Sequence, residues 1–241
     1  MTELLLINPN TTQSITDLVL KHAKTFASPG TKLRAVSGAF GPRYVASRIG
    51  YAIAGHAAVD ALANDKGKKD AVVLACFGDP GLAALKEVSA VPVVGMADAS
   101  ILQACAMGKK FSLVTGGARW KPMLEEFVAS HGLASRLASV RTVAPTGADI
   151  ARNPKAAMAL LAKGCNACAK DGADVVILGG AGLAGLAAKL KSAVDVPLLD
   201  GVACAISMAE ALAGQKLVRM GTHPDPVESI GLSKGLAKLI G

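Results

Sequence analysis

The sequence predicts an α/β fold with two pseudo-symmetric lobes, each a parallel sheet of about four strands covered by helices. Short apolar runs alternate with longer helical stretches along the chain, which is typical of parallel sheets with helices on both faces. A sizeable core is expected because 51% of the residues are hydrophobic and only 18% are charged. The pattern of residues 70–96 also recurs at residues 174–201, so we expect a pseudo-twofold axis between the lobes.

The first half of the chain contains four predicted strands with helices between them. The first strand is the apolar run LLLIN, and Pro9 with the capping residues Asn10, Thr11 and Thr12 marks the start of the helix that follows it. The segment 41–50 is irregular and bounded by Gly and Pro. The strands are predicted at 4–8, 32–38, 71–77 and 91–95, and the helices after residue 12 to about 27, after residue 50 to about 63, at 81–88 and at 99–108.

The second half repeats this order. Its predicted strands cover residues 111–116, 138–144, 174–180 and 196–201, and its predicted helices cover residues 121–132, 153–172, 185–191 and 203–214. The repeat, with an offset of about 104 residues, assigns 1–97 plus 203–241 to lobe 1 and 98–202 to lobe 2. Ligands of open α/β sheets bind beyond the carboxyl ends of the strands. We therefore expect one cleft formed by the turns at 8–11, 76–82, 115–118 and 179–183.

Composition and charge argue against a nucleic-acid or membrane protein. The formal net charge of +8 is mostly scattered, and the aromatic residues that would stack on bases make up only 3%. No apolar run approaches the ~18 residues of a membrane span, and the N-terminus lacks the basic start of a signal peptide. Five cysteines without a secretory signal indicate reduced thiols. We expect a cytoplasmic homo-oligomer that acts on a small molecule, with no nucleic-acid or membrane partner.

Cys76 is the first candidate for a catalytic group. It lies at the end of the predicted strand 71–77, and the polar, glycine-containing turn 77–81 follows it. Backbone amides and a helix N-terminus at such a position favour the thiolate. A thiolate can remove a proton next to a carbonyl or attack as a nucleophile. The alternative interpretation is a small buried core residue, as free cysteines frequently are.

The corresponding turn of the second lobe, residues 179–185, is rich in glycine. It contains a G-x-G-x-x-G pattern between a strand and a helix, with Asp200 at the end of the next strand, as in dinucleotide-binding sites. The chain that remains after this turn is too short for a complete dinucleotide fold, so we expect no cofactor. Two interpretations stay open, namely glycines for close packing and backbone amides that line an anion pocket.

Other polar residues near the expected cleft are candidates for substrate binding. Asn8 and Thr115 end corresponding strands, where each would either bind a carbonyl or carboxylate or cap the next helix. Arg43 and Tyr44 lie on the loop after the second strand. No metal site is expected, because the C-x-x-C pair at 165–168 lies in a helical stretch without a second pair of ligands.

Four segments of the chain carry a family resemblance. They are INPNTT at 7–12, ACFGDPGL at 75–82, LGGAGLAG at 178–185 and PLLDGVACAISMAEAL at 197–212. Together they resemble the hydantoin and allantoin racemases of the aspartate/glutamate racemase superfamily, over nearly the whole chain. The resemblance implies an active site between two α/β lobes and chemistry without a cofactor. One cysteine would remove a proton from an acidic carbon, and a second would protonate the opposite face.

Within this resemblance, Cys76 corresponds to the first catalytic cysteine, whereas Gly180 takes the place of the second. The family pattern at that position is Leu-Gly-Cys-Ala-Gly, and this chain reads Leu-Gly-Gly-Ala-Gly. Glycine has no proton to give, so the chain departs from the two-cysteine mechanism. The related arylmalonate decarboxylases also keep a single cysteine, but in the opposite lobe, which implies that one-sided protonation is feasible on this fold.

The sequence therefore predicts a cofactor-independent racemase or isomerase that acts on an acidic carbon next to a carbonyl, in a hydantoin, allantoin or amino-acid-like substrate. Cys76 is predicted to give and take the proton. Substrate-binding residues are expected at Asn8, Phe77, Gly78, Thr115, Gly116, Gly179, Ala181 and Gly182, with Arg43 and Tyr44 as further candidates. The alternatives are a one-cysteine decarboxylase of the arylmalonate type and a two-lobed binding protein without catalytic activity.

Overall fold

Two four-stranded parallel sheets, one from each half of the chain, form the centre of the computed structural model, which describes residues 1–143, 153–215 and 225–240. The first sheet contains β1 (Glu3–Asn8), β2 (Lys32–Ser37), β3 (Ala71–Leu74) and β4 (Val93–Gly95). The second contains β5 (Phe111–Gly116), β6 (Leu137–Val143), β7 (Val175–Leu178) and β8 (Leu198–Asp200). The strand orders β2-β1-β3-β4 and β6-β5-β7-β8 match each other, and the predicted pair of parallel sheets is confirmed.

Helices pack on both sheets. In the described residues they are α1 (Gln13–Phe26), α2 (Arg48–Asn64), α3 (Leu82–Val88), α4 (Met96–Met107), α5 (Trp120–Ser130), α6 (Pro154–Lys170), α7 (Leu186–Leu190), α8 (Gly201–Gly214) and α9 (Lys234–Ile240). None of these helices has the length and apolar character that a membrane crossing requires. Helix α9, which packs against α2, is not predicted from the sequence. Parts of the predicted segments and lobes at 144–152, 216–224 and 241 lie outside the described residues.

The central strands are buried on both faces, as expected for parallel sheets covered by helices. Residues 4–7 of β1 are each at most 1% exposed, and every residue of β3 and β7 is buried. The β-branched and leucine-rich composition of these runs suits a position between two helical layers. This burial fixes the sheet register, and with it the positions at which the strands end and the turns of the cleft begin.

Both strands that lead to the candidate turns are shorter than predicted. β3 ends at Leu74 instead of Phe77, and β7 ends at Leu178 instead of Gly180. After β3 the backbone turns at once, because the amide of Asp79 donates to the carbonyl of Cys76 at 3.0 Å. Cys76 therefore belongs to a turn beyond the sheet edge and not to the strand itself.

Two helices, called the crossing helices below, run from one lobe to the other. α4 starts from β4 of the first sheet and packs against β7 of the second, whereas α8 starts from β8 and packs back against β3. The two helices also pack against each other, and their first residues meet, since a Cβ on Gly201 would lie 3.1 Å from Met96 Cγ. Because each helix is anchored in both lobes, the two strand ends are held at a fixed separation.

The turn that contains Cys76 ends in a close backbone contact. Gly81 has φ +81°, a left-handed conformation that favours glycine. A Cβ at this position would lie 2.8 Å from the carbonyl oxygen of Gly55 in α2. The turn is thus seated directly on the backbone of α2, and the contact leaves no room for a side chain.

We expect Gly81→Ala to destabilise the fold more than Gly30→Ala. Gly30 has φ +90° and no atom within 4 Å of its Cβ position, so its substitution carries only the backbone penalty of about 1–2 kcal/mol. Gly81→Ala adds the collision with α2, worth roughly 1–3 kcal/mol more. Urea unfolding of both variants measures the difference. Equal losses of stability would show that the turn is not seated on α2 in this way.

Candidate active site

A cavity of about 270 Å³ lies at the carboxyl ends of both sheets, between the two lobes. Each of the four turns that the sequence places at the cleft contributes to its wall. The lining residues are Asn10, Ile15, Tyr44, Val45, Ala75, Cys76, Phe77, Thr115, Gly116, Gly117, Trp120, Gly179, Gly180, Ala181, Gly182 and Leu183. The wall is therefore mostly apolar, with a few polar side chains and two glycine-rich segments.

Three of the residues expected at the substrate do not line this cavity, namely Asn8, Gly78 and Arg43. Asn8 is 1% exposed, and its side chain is committed to hydrogen bonds inside lobe 1. The carbonyl of Gly78 accepts a 2.7 Å hydrogen bond from the Tyr51 hydroxyl, and the side chain of Arg43 is exposed to solvent. The expected residues that do line the cavity are Tyr44, Cys76, Phe77, Thr115, Gly116, Gly179, Gly180, Ala181 and Gly182.

Several residues of the wall are not predicted from the sequence, and the most important of them are Asn10 and Trp120. Asn10 reads as a helix-capping residue in the sequence, and its place in the INPNTT motif was the available signal. Trp120 begins α5, and its indole N–H donates to the carbonyl of Val45 at 3.0 Å. This bond ties the 41–47 loop of the first half to the second lobe, and so closes one side of the cavity.

The two lobes meet directly beside Cys76. The ring of Phe77, the next residue, packs on Gly179 so closely that any Cβ on Gly179 would overlap it. Cys76 and Gly180 thus line the same cavity from turns that belong to different sheets. Gly180 has φ +126°, but its Cβ position is open, with Thr115 Oγ1 at 3.5 Å as the nearest atom.

The environment of Cys76 favours the neutral thiol. Burial raises the pKa of the Cys76 thiol to about 12, and the nearby carboxylate of Asp79 adds to the increase. The expectation of a stabilised thiolate is wrong for the protein alone, because the lost hydration outweighs the helix N-terminus, and α3 begins only at Leu82. The neutral Cys76 thiol can donate a proton, but it can accept one only as the thiolate, which this environment disfavours.

Comparison with known proteins assigns the family. The model of the family described as Asp/Glu/Hydantoin racemase matches residues 4–209. The chain belongs to the Asp/Glu/hydantoin racemase family. A hydantoin racemase of Pseudomonas sp. (strain NS671) is 36% identical over 233 residues, which cover 93% of each chain. A crystal structure of an allantoin racemase from Pseudomonas fluorescens has a TM-score of 0.89 at 33% identity, covering 95% of this chain and 100% of that one. The protein is accordingly an isomerase of the racemase type.

Arylmalonate decarboxylase shares the fold at lower similarity. Its crystal structure has a TM-score of 0.63 at 16% identity, covering 99% of this chain and 98% of that one. Such a likeness concerns the arrangement of strands and helices and carries no function with it. The assignment of this chain to its family rests on the match to the family model and on the similarity to hydantoin and allantoin racemases.

In this member of the racemase family, a buried carboxylate fastens the Cys76 turn to a crossing helix. Asp79 is 2% exposed, and its two oxygens accept hydrogen bonds from the amides of Ala97 (3.0 Å) and Asp98 (2.7 Å) in the first turn of α4. Gly95, the N-cap residue of α4, has no side chain, and the Asp79 carboxylate takes the place of a capping side chain. Burial raises the pKa of Asp79 to about 7 despite these two donors.

In the second lobe the carboxylate that caps the crossing helix comes from the end of the last strand and not from the cavity turn. Asp200, which corresponds to Gly95, accepts from the amides of Val202 (2.9 Å) and Ala203 (3.3 Å) in α8. Its other oxygen accepts from the amide of Gly185 at 2.7 Å and so holds the glycine-rich turn. A Cβ on Gly95 would overlap the Asp79 carboxylate. Asp200 thus has a structural role, because it caps α8 and binds the amide of Gly185.

We expect the buried Asp79 carboxyl to make the fold less stable as the pH rises. Its pKa is about 7 in the folded protein against 3.8 for an ordinary aspartate, so the folded state holds the proton more tightly. The stabilisation is complete below about pH 4 and is lost by about pH 7, on the order of 4 kcal/mol in total. Unfolding free energies from urea titrations at pH 4 to 8 measure this loss.

Asp79→Asn should flatten this pH dependence, since the amide does not titrate. Asp195→Asn, at an exposed position, is the matched control and should keep the wild-type slope. A variant Asp79→Asn that retains the full slope between pH 4 and 7 would assign the effect to other groups.

Proposed function

We propose that the protein racemises neutral 5-substituted hydantoins, with Cys76 as the thiol that exchanges the hydrogen on the ring carbon C5. The observation that carries this proposal is the composition of the cavity wall. Among the described residues that line it, only Cys76 and Tyr44 have titratable side chains. Cys76 is therefore the group best suited to proton transfer at carbon in a site of a racemase-family protein.

The apolar wall favours a neutral substrate. The described lining residues include no Lys, Arg or His, so a bound carboxylate would lose its hydration without gaining a counter-charge. This weighs against amino dicarboxylates and against malonates, and hence against decarboxylation of the arylmalonate type. A hydantoin ring is neutral near pH 7 and offers two carbonyls to hydrogen-bond donors. An apolar 5-substituent can pack against Ile15, Val45 and Leu183 in the same cavity.

The proposed reaction is a proton exchange through an enolate. The Cys76 thiol first loses its proton to solvent water, and the thiolate then takes the proton from C5 while the C–H electron pair moves onto the neighbouring carbonyl oxygen. A proton returned by the Cys76 thiol restores the starting enantiomer, whereas a proton delivered by a water molecule on the opposite face gives the other enantiomer. Ala181 and Gly182 line the cavity and lie in the first turn of a short 3₁₀ helix, where their amides have no acceptor within the helix. Each amide that bonds the enolate oxygen is worth about 3 kcal/mol.

The exchange is expected to be faster on one face of C5 than on the other. Cys76 serves the face of C5 that it contacts, and Gly180 presents no proton donor to the opposite face. The nearest side-chain oxygen to the Cβ position of Gly180 is Thr115 Oγ1, a hydroxyl that does not titrate near neutral pH. Racemisation by this protein is therefore limited by the slower proton transfer on the Gly180 side.

We expect Cys76→Ala to lower the kcat/KM for racemisation of enantiopure 5-benzylhydantoin by about 10³-fold, in the range typical of a lost general acid or base. Exchange of the C5 hydrogen in deuterated buffer measures removal of the proton, and chiral chromatography measures formation of the opposite enantiomer. Cys105→Ala, in α4 and away from the cavity, is the matched control and should keep its activity.

Full activity of Cys76→Ala would refute the role of this thiol. Binding of hydantoins by the wild type without any hydrogen exchange would instead favour the non-catalytic binding protein. Release of CO₂ from an arylmalonate would favour the decarboxylase.

Gly180→Cys should add exchange on the second face. The backbone there has φ +126°, so a side chain costs about 1–3 kcal/mol, but the space around its Cβ is open. Gly180→Ala carries the same backbone cost without the thiol and is the matched control. We expect Gly180→Cys to racemise at least tenfold faster than Gly180→Ala at equal folded fraction, by chiral analysis. Equal rates for both variants would place Gly180 away from the reacting carbon.

A further inference from the structure

The side-chain amide of Asn10 presents free hydrogen-bond donors to the cavity. Asn10 is 5% exposed and lines the cavity at the end of β1. Its Oδ1 accepts from the amide of Thr12 at 2.9 Å and from Asn8 Nδ2 at 3.0 Å. Its Nδ2 donates to no acceptor among the described residues. A buried amide with a saturated oxygen and an unused NH₂ group is equipped to bind an oxygen of a ligand.

Two backbone amides fix which way this side chain faces. The N–H of Thr12 can only donate, so the atom of Asn10 that it contacts must be Oδ1, and Nδ2 must point the other way. The N–H of Asn10 itself donates to Asn8 Oδ1 at 3.3 Å, which fixes the orientation of Asn8 in the same manner. The NH₂ group of Asn8 then donates to Asn10 Oδ1, and neither amide can flip without losing bonds.

The orientation is supported by a chain of hydrogen bonds that ends at the surface. Asn8 Nδ2 donates to Thr16 Oγ1 at 2.8 Å, and Thr16 and Ser37 hydroxyls are 2.7 Å apart. Ser37 donates to Gln13 Oε1 at 2.9 Å, so the hydroxyl of Ser37 accepts from Thr16. Gln13 Nε2 donates to Asp17 at 2.8 Å. Every hydrogen in this chain points away from Asn8, which leaves Asn8 only one way to hydrogen-bond.

The corresponding position of the second lobe has no such donor. The register pairs Ile7 with Leu74 in one sheet and Val114 with Leu178 in the other, so Asn10 corresponds to Gly117. Glycine has no side chain, and a Cβ there would lie 3.5 Å from the hydroxyl of Tyr44. The amide donor is therefore present in the lobe that carries Cys76 and absent from the lobe that carries Gly180.

We infer that Asn10 is a catalytic residue that donates from Nδ2 to the carbonyl oxygen next to C5, and that Asn8 is a positioning residue for it. The inference rests on the proposed function. When the Cys76 thiolate takes the C5 proton, the S–H bond forms, the C–H bond breaks and the electron pair moves onto that oxygen. The Asn10 N–H bond strengthens as the oxygen gains charge, so it acts more on the transition state than on the bound substrate.

Asn10→Asp is the sharpest test, because it keeps the shape and the acceptor for Thr12 but replaces the NH₂ donors with an oxygen. We expect kcat for hydantoin racemisation to fall about 10²–10³-fold, as for the loss of one oxyanion donor, with KM changed less than fivefold. Asn8→Ser, which leaves Asn10 in place but removes its support, should lower kcat about tenfold with KM similarly unchanged. Thermal unfolding reports whether each variant folds.

The matched control is Asn153→Asp at the start of α6. Among the described residues its side chain hydrogen-bonds only the amide of Ala156, from which Oδ1 accepts, and aspartate keeps that bond. It should retain wild-type kcat. If Asn10→Asp does not fold, Asn10→Ala is measured in its place, with the same expected loss of kcat. Values of kcat within threefold of the wild type for the folded Asn10 variant would overturn the inference.

The outcome separates this inference from the function on which it rests. A wild type that exchanges the C5 hydrogen, a Cys76→Ala variant that does not and an Asn10→Asp variant that does would retain the proposed function and remove the role of Asn10. A wild type that exchanges no hydrogen from any hydantoin would remove both. A loss confined to KM in Asn10→Asp would make Asn10 a binding group only, and would overturn its catalytic role.

Discussion

The arrangement of the site depends on one interaction made in both lobes, a buried carboxylate on the first turn of a crossing helix. Asp79 binds the amides at the start of α4, and Asp200 binds those at the start of α8. Each carboxylate also belongs to, or bonds to, the turn that lines the cavity in its own lobe. Because α4 and α8 pack on each other and on the opposite sheets, both turns are held against a common centre. The cavity therefore keeps its shape only while both carboxylates stay in place.

The two lobes make this interaction with carboxylates from different positions, and the turns that line the cavity differ accordingly. In the first lobe the carboxylate comes from the turn itself, which places Asp79 beside Cys76. Burial raises the pKa of this thiol, and the Asp79 carboxylate raises it further. In the second lobe Asp200 comes from the strand end, and the glycine-rich turn that it holds lines the cavity. One turn thus carries the thiol to which we assign proton transfer, whereas the other carries the amides that we propose as donors. In this proposal the internal repeat keeps the architecture and separates the roles.

Much of the fold follows from the sequence, because periodic apolar runs report burial directly. The alternation and the repeat predict both sheets and most helices, whereas α9 packs at the periphery on α2 and leaves a weaker pattern. The site is predicted less completely. Cys76 and the glycine-rich turn are visible as motifs. That Asn10 and not Asn8 lines the cavity is not visible in the sequence, since it depends on which side-chain amide has its hydrogen bonds satisfied inside lobe 1. The pKa of Cys76 is likewise set by burial in three dimensions, which no local motif reports.

A thiol with a pKa of about 12 is a good proton donor to an enolate and a poor base unless the product of deprotonation is strongly stabilised. A buried site without a cation can supply that stabilisation only through neutral hydrogen-bond donors aimed at the oxygen. In the proposed reaction such donors come from both lobes, namely the side-chain amide of Asn10 and the backbone amides of Ala181 and Gly182, all of which belong to residues that line the cavity. Neutral donors bind an oxygen more strongly as negative charge develops on it during the reaction. On this proposal, a wall that disfavours a carboxylate in the bound substrate still stabilises the enolate that forms during proton transfer.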